Sequence, residues 1–224
     1  MFNFVHTTDF LEPKVTQENG VRFYKFPNQD KYYSSVTSVT GIRSKQGILE
    51  WRKRVGEQEA NRVSAAATSR GNAFHNYSEK YLKSTLCKED KDHPLAWYMF
   101  SSAKPHLDRI NNIHCLEGAL YSKQLGVAGT TDCIGEHDGE LAVIDFKTSK
   151  KPKPREWITH YFVQAMFYGM AYYEMTGTPI KKLVIIMACE NGECVLYEER
   201  DLKKYMKLVV QYIKKFVNDR LELM

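Results

Sequence analysis

Residues 137–140 read His-Asp-Gly-Glu, with runs rich in apolar residues on both sides. Asp-Gly at the centre of two such runs is a strong signal for a β-hairpin, because both central positions of the favoured turn need positive φ. A hairpin fixes register, and register decides which side chains meet. With Asp138 and Gly139 as the loop, His137 pairs with Glu140. Counting back along both strands then sets Asp132 directly opposite Asp145. A four-residue loop on the same centre gives the same pairing; only a bulge or an odd loop shifts it.

Directly opposed side chains have Cβ atoms about 4.5–5.5 Å apart. Two carboxylates that close repel, and a cation between them reverses the sign. Asp145 follows the apolar run Ala142-Val143-Ile144, and Lys147, two residues on, projects from the same face. Two carboxylates beside a lysine suit a hard, oxygen-loving ion such as Mg²⁺ or Mn²⁺. The lysine can orient or polarise water for attack on phosphorus. Phe146 would offer its backbone carbonyl to the ion while its ring faces the other side. Asp-x-Lys alone is common on half-exposed strands; its place after an apolar run and opposite Asp132 makes it a candidate metal site.

Other residues can join it. His75 lies one turn after Arg70-Gly71, and His75 and Glu79 share a helical face at i and i+4. His75 is a further candidate ligand, although a lone helical histidine is usually packed or simply exposed. Glu117, on the strand before Asp132, either lines the same pocket or sits on the surface. Gln164 and Tyr168 are i and i+4 on an aromatic helix, where a glutamine can hold a phosphate or a base, or be one buried polar group of a core helix. The run Lys147, Lys150, Lys151, Lys153 and Arg155 suits a phosphate backbone, and is also the composition of a solvated loop.

The surrounding pattern is α/β. Residues 23–26 read as a short strand, and "SSVTSVTGI" as β-branched residues followed by a turn. Residues 46–82 read as three amphipathic helices broken at Gly56 and Gly71. Residues 93–113 read as another helix, interrupted near Pro105. Three strands follow in a row, then a long aromatic helix ending at Gly177, two more strands and a closing amphipathic helix. The 224 residues suit a single domain over 1–224, mainly helical over 1–113 and α/β over 114–224.

Composition narrows the function classes. The formal charge of +5 admits nucleic acid as a partner without requiring it. Five cysteines without CxxC spacing argue against a disulfide framework, a zinc ribbon or an iron–sulfur cluster. No run reaches the roughly 18 apolar residues of a membrane helix, and no Gly-rich Walker loop is present. The N-terminus looks like neither a secretory signal nor a transit peptide.

The combination of Asp132, Asp145-Phe146-Lys147, the upstream His75 and Gln164-x-x-x-Tyr168 resembles the RecB-type branch of the PD-(D/E)XK nucleases. "LEGALYSKQLGVAGTTDCIGEHDGELAVIDFKTSKKPKP" looks like the group of mitochondrial genome maintenance exonucleases and their phage and bacterial relatives, and "SVTSVTGI", "WRKRVG" and "RGNAFH" fit it too. The resemblance covers roughly residues 36–185. It implies a restriction-endonuclease-like core, a mixed central sheet flanked by helices, with a helical N-terminal arch. It implies metal-dependent trimming of single-stranded DNA from free ends. His75, Asp132, Asp145 and the Phe146 carbonyl would hold metal, Lys147 would be catalytic, and Gln164 and Tyr168 would support the site and its DNA. Arg70, Lys150, Lys151, Lys153 and Tyr168 are expected at the DNA. Some relatives carry a four-cysteine iron–sulfur staple, for which this chain lacks the spacing. With no targeting segment visible, a protein of the bacterial or phage-infected cytoplasm is expected rather than a mitochondrial one. A structure-specific endonuclease on the same core and a non-catalytic nucleic-acid-binding module are the competing readings.

Overall fold

The computed structural model describes residues 1–6 and 8–221. In chain order its elements are β1 (Lys14–Glu18), β2 (Val21–Lys25), β3 (Tyr32–Ser35), α1 (Val36–Thr40), α2 (Ile42–Val55), α3 (Glu57–Leu82) and α4 (Pro94–Leu107). They continue with β4 (Ile110–Ser122), β5 (Val127–His137), β6 (Glu140–Ser149), α5 (Thr159–Thr176), β7 (Lys182–Cys189), β8 (Cys194–Glu199) and α6 (Leu202–Leu221). All eight strands form one mixed sheet. β6 and β7 run parallel, joined by α5 as a crossover, while β5–β6 and β7–β8 are antiparallel.

The Asp-Gly hairpin forms. Asp138 (φ 53°) and Gly139 (φ 76°) make the loop, and His137 pairs with Glu140. The ladder runs back to Cys133 opposite Ile144, and its next step sets Asp132 against Asp145. β5 is also paired along its start by β3, at Val127 and Ala128. Between those two pairings, residues 129–132 lie at an opening in the sheet, and Asp132 stands at its edge.

β7 shows how the layers are made. It is buried along its whole length, so successive side chains must satisfy two cores. Leu183, Ile185, Met187 and Cys189 pack with α5 and α6; Val184, Ile186 and Ala188 pack with α3 and α4. β6 follows the same parity, with Val143 on the α5 side and Ile144 and Phe146 on the α4 side. Asp145 and Lys147 therefore sit on the α5 face.

Several elements differ from the sequence expectations. The "SSVTSVTGI" segment, read as β-branched residues and a turn, carries a short helix: Ser35 ends β3 and caps α1 by accepting from the Thr37 N–H at 3.2 Å. α3 runs unbroken through Gly71, because the helix is long and its second half is anchored by Phe74, Tyr77 and Leu82. α4 keeps Pro105 in its last turn, and residues 110–113 begin β4 instead of extending the helix. The region before residue 113, expected to be mainly helical, also contributes β1–β3 to the sheet. Among the described residues, no helix is long and apolar enough to cross a membrane.

Candidate active site

The site forms where β5 and β6 part. Phe146 donates its backbone N–H to Asp132 Oδ2 at 2.6 Å, so a side chain takes a role that a neighbouring strand fills elsewhere. On the other side of β5, the ladder pairs Leu116 with Cys133 and Gly118 with Thr131. Glu117 therefore flanks Asp132 opposite Asp145, and three carboxylates lie in a row across β4, β5 and β6. Glu117 holds φ at 49°, a left-handed conformation that costs an L-residue about 1–2 kcal/mol. Strain of this kind persists where surrounding structure holds it.

α3 adds His75. Its Nδ1 is 3.5 Å from Asp132 Oδ1 and 3.8 Å from Glu117 Oε1. The ligand atoms of His75, Glu117 and Asp132 all lie within 4.8 Å of one another. Asp145 is 2% exposed, and Lys147 Nζ contacts its Oδ2 as an ion pair. Neither Asp145 oxygen accepts a hydrogen bond of ordinary geometry, and Glu117 Oε1 accepts none. Asp145 Oδ1 and Glu117 Oε1 are buried carboxylate oxygens without donors, which a hard divalent cation satisfies, so the donor set fits such an ion.

Electrostatics agree. Burial pulls the His75 imidazole down, but Asp132 and Glu117 outweigh it and push it up to about 10. Burial likewise opposes the charge on Lys147, and Asp145 with Asp132 raises it. Burial pushes the Asp145 and Glu117 carboxyls up. Asp132 is held below its usual range, because His75, Lys147 and the Phe146 N–H overcome its burial. Two protonated side chains thus balance the carboxylates, and an ion bound at His75 must displace a proton from it.

The expected residues divide into those gathered here and those placed elsewhere. His75, Asp132, Asp145, Phe146 and Lys147 converge, and Glu117 joins the ligand cluster. Glu79, one turn beyond His75, is drawn to Lys83 at 2.6 Å. Gln164 Nε2 reaches Tyr168 OH at 3.5 Å. Tyr168, expected at the DNA, is 3% exposed and packs in the core. Arg70, also expected at the DNA, is buried, and its guanidinium pairs with Glu190. Lys150 and Lys151 are exposed. Lys153 is half-buried and donates to Tyr161 OH at 3.0 Å.

Tyr161 is the residue that sequence reasoning missed. Its ring centroid lies 5.1 Å from Lys147 Nζ and 5.3 Å from Lys153 Nζ, which also donates to its hydroxyl. Helical spacing could have flagged it, since Tyr161 lies three residues before Gln164 and seven before Tyr168.

A second cluster, His137, Asp138 and Glu198, forms at the hairpin end of the sheet. There the cation is already present as the buried Lys182, which donates to Glu198 Oε1 at 2.6 Å with His137 Nδ1 3.4 Å away. Burial pushes His137 down to about 4. This cluster is an internal ion pair.

A family model described as the PD-(D/E)XK nuclease superfamily matches residues 47–222. That is most of the chain, and the chain belongs to this superfamily. Its core is the mixed sheet flanked by helices described above. The chain is 30% identical over 152 residues to mitochondrial genome maintenance exonuclease 1 of Homo sapiens, covering 64% of this chain and 42% of that protein. The Xenopus tropicalis protein of the same name is 36% identical over 132 residues, covering 54% and 38%. The chain spans less than half the length of these curated relatives. They overturn the expectation of a bacterial or phage-infected cytoplasm, because they are animal proteins named for the mitochondrion. That expectation rested on seeing no targeting segment, which a chain matched to under half of its relatives cannot decide.

Proposed function

We propose that this chain is a divalent-metal-dependent nuclease that hydrolyses single-stranded DNA from free ends, in DNA replication, recombination or repair. The observation that carries the reading is the row Glu117, Asp132 and Asp145 at the opening between β5 and β6, with His75 and Lys147 on its flanks. Relatives named as genome maintenance exonucleases support it.

His75, Glu117, Asp132, Asp145 and the Phe146 carbonyl would hold Mg²⁺ or Mn²⁺. Such an ion supplies Lewis-acid stabilisation of the charge that develops on the phosphate. Lys147 Nζ orients the attacking water and offsets negative charge in the transition state. Gln164 and Tyr168 hold the floor of the site from α5. Lys150 and Lys151 grip the backbone without reading bases. α2 and the first turns of α3 form the arch; between Glu57 and Arg70 that stretch buries Ala60 alone, as expected of a segment standing away from the core.

The test uses end-labelled linear single-stranded DNA, a covalently closed circle of the same sequence, blunt duplex and RNA, each with Mg²⁺, Mn²⁺ or chelator. Linear single strands should be lost only with metal, and circle and duplex should survive, because entry under an arch needs a free single-stranded end. Rapid loss of the circle would replace this reading with an endonuclease. Binding without cleavage of any substrate would leave a non-catalytic module.

A further inference from the structure

Trp157 is the most exposed large aromatic side chain among the described residues, at 70%. Its mount is rigid. It stands on a 3-10 turn, Arg155–Ile158, that begins after Pro154. The Trp157 N–H donates to the Pro154 carbonyl at 3.0 Å. On one side of Trp157, Arg155 is tied to Glu199 and to the Glu198 carbonyl, each at 2.8 Å. On the other, Ile158 is fully buried. An indole held open to water on an anchored turn costs apolar exposure while keeping little freedom, which is the form of a preorganised contact.

Its position says what it contacts. The turn runs into α5, whose third residue is Tyr161, so Trp157 precedes Tyr161 by four residues. Tyr161 is the ring against Lys147, and Lys150 and Lys151 lie exposed on the same connection. Trp157 thus presents a free aromatic face four residues before Tyr161, whose ring lies 5.1 Å from Lys147 Nζ, on the connection that also carries the exposed Lys150 and Lys151. His160 does not compete for this role, since its ring packs at a tilt against Tyr161 with centroids 4.1 Å apart.

We propose that Trp157 is a stacking platform for one unpaired base of the strand held at the site. The inference rests on the reading that the site acts on single-stranded nucleic acid, and it names the residue that reads strandedness. A base in a duplex has its faces covered by its neighbours, whereas an unpaired base offers one to an aromatic ring, whatever its identity. Trp157 thus selects single strands by chemistry, separately from any steric limit set by α2 and α3.

The test measures binding in EDTA, where no cleavage occurs, with a short oligothymidylate and with a backbone of the same length built from abasic units. Trp157→Leu should weaken oligothymidylate binding about 5- to 150-fold and leave affinity for the abasic backbone unchanged. Trp157→Tyr should recover most of the loss, and indole fluorescence should be quenched by oligothymidylate only in proteins that keep Trp157. Equal oligothymidylate affinity in Trp157→Leu, or an equal loss on both probes, would overturn the platform while leaving the nuclease reading intact. Failure of the unaltered protein to bind oligothymidylate, or to cut it when Mg²⁺ or Mn²⁺ is restored, would overturn the nuclease reading itself.

Discussion

Asp132 and Asp145 face each other, yet the fold treats their charges in opposite ways. Burial raises the Asp145 carboxyl, so folding disfavours its charged form. A raised folded-state value contributes stability that is complete below the unfolded value and lost as pH rises through the folded one. Asp145→Asn should therefore melt as high as the unaltered protein or a few degrees higher at pH 8 without metal. Asp132 is lowered, so its charged form contributes stability that is present above the unfolded value and lost as pH falls through the folded one. Asp132→Asn should melt lower at pH 8, since His75 and Lys147 lose a shared counter-charge. Calorimetry in chelator compares the pair, and a drop for Asp145→Asn equal to that for Asp132→Asn would refute the argument. With metal restored, both variants should be inactive. Lys147→Ala should fold, by circular dichroism, and lose hydrolysis by about 10²–10³; near-normal cleavage would remove Lys147 from the chemistry. Asp132, Asp145 and Lys147 were legible because a two-residue loop leaves one register. Glu117 was only half legible, since its place beside Asp132 depends on an irregularity between Asn111 and Cys115 that alternation does not reveal. Tyr161 was hidden among the many aromatic residues of α5, where composition singles out none.

At the scale of elements, two glycines separate what propensity governs from what packing governs. Gly71 reads as a helix break, but α3 continues through it because tertiary contacts outweigh the roughly 1 kcal/mol that glycine costs a helix. A Cβ there would meet only Thr148 Oγ1 at 3.8 Å, an ordinary contact. Gly71→Ala should raise the melting temperature by about 2–4 °C. Gly129 is the opposite case, lying on β5 at the opening in the sheet. A Cβ there would stand 3.0 Å from both Cε1 and OH of Tyr168, a ring with no room to withdraw. Gly129→Ala should cost about 1–3 kcal/mol and disturb the Gln164–Tyr168 contact. Thermal melts of the two variants should move in opposite directions, and a rise for Gly129→Ala would mean that α5 does not press on β5 as described. The same logic explains the Ser35 segment. Its β-branched residues favour a strand locally, yet Val36 and Val39 reach the core on the short helix α1, and Ser35 caps that helix. Local preference and core demand disagree there, and sequence alone displays only the first.

Across the whole molecule the charge is +5, a modest excess that cannot by itself hold a polyanion. Placement matters more than the sum. Arg70, Arg155 and Lys182 are engaged by Glu190, Glu199 and Glu198, and Lys153 is held by Tyr161. Lys150 and Lys151 are exposed on the connection leaving β6, beside the site. If they contact phosphates, they release counterions on binding, and each contributes about 0.7 to the slope of log affinity against log salt for a single strand. The variant with both lysines changed to alanine should therefore bind oligothymidylate with a slope shallower by about 1.4. Its loss of affinity should be alike for sequences of any composition and should shrink as salt is raised. Trp157→Leu should do the reverse, lowering affinity at every salt concentration without altering the slope, because stacking releases no counterions. Titrations of both variants over a range of salt would separate the two contributions. An unchanged slope in the lysine variant would mean that the strand enters along another face of the protein.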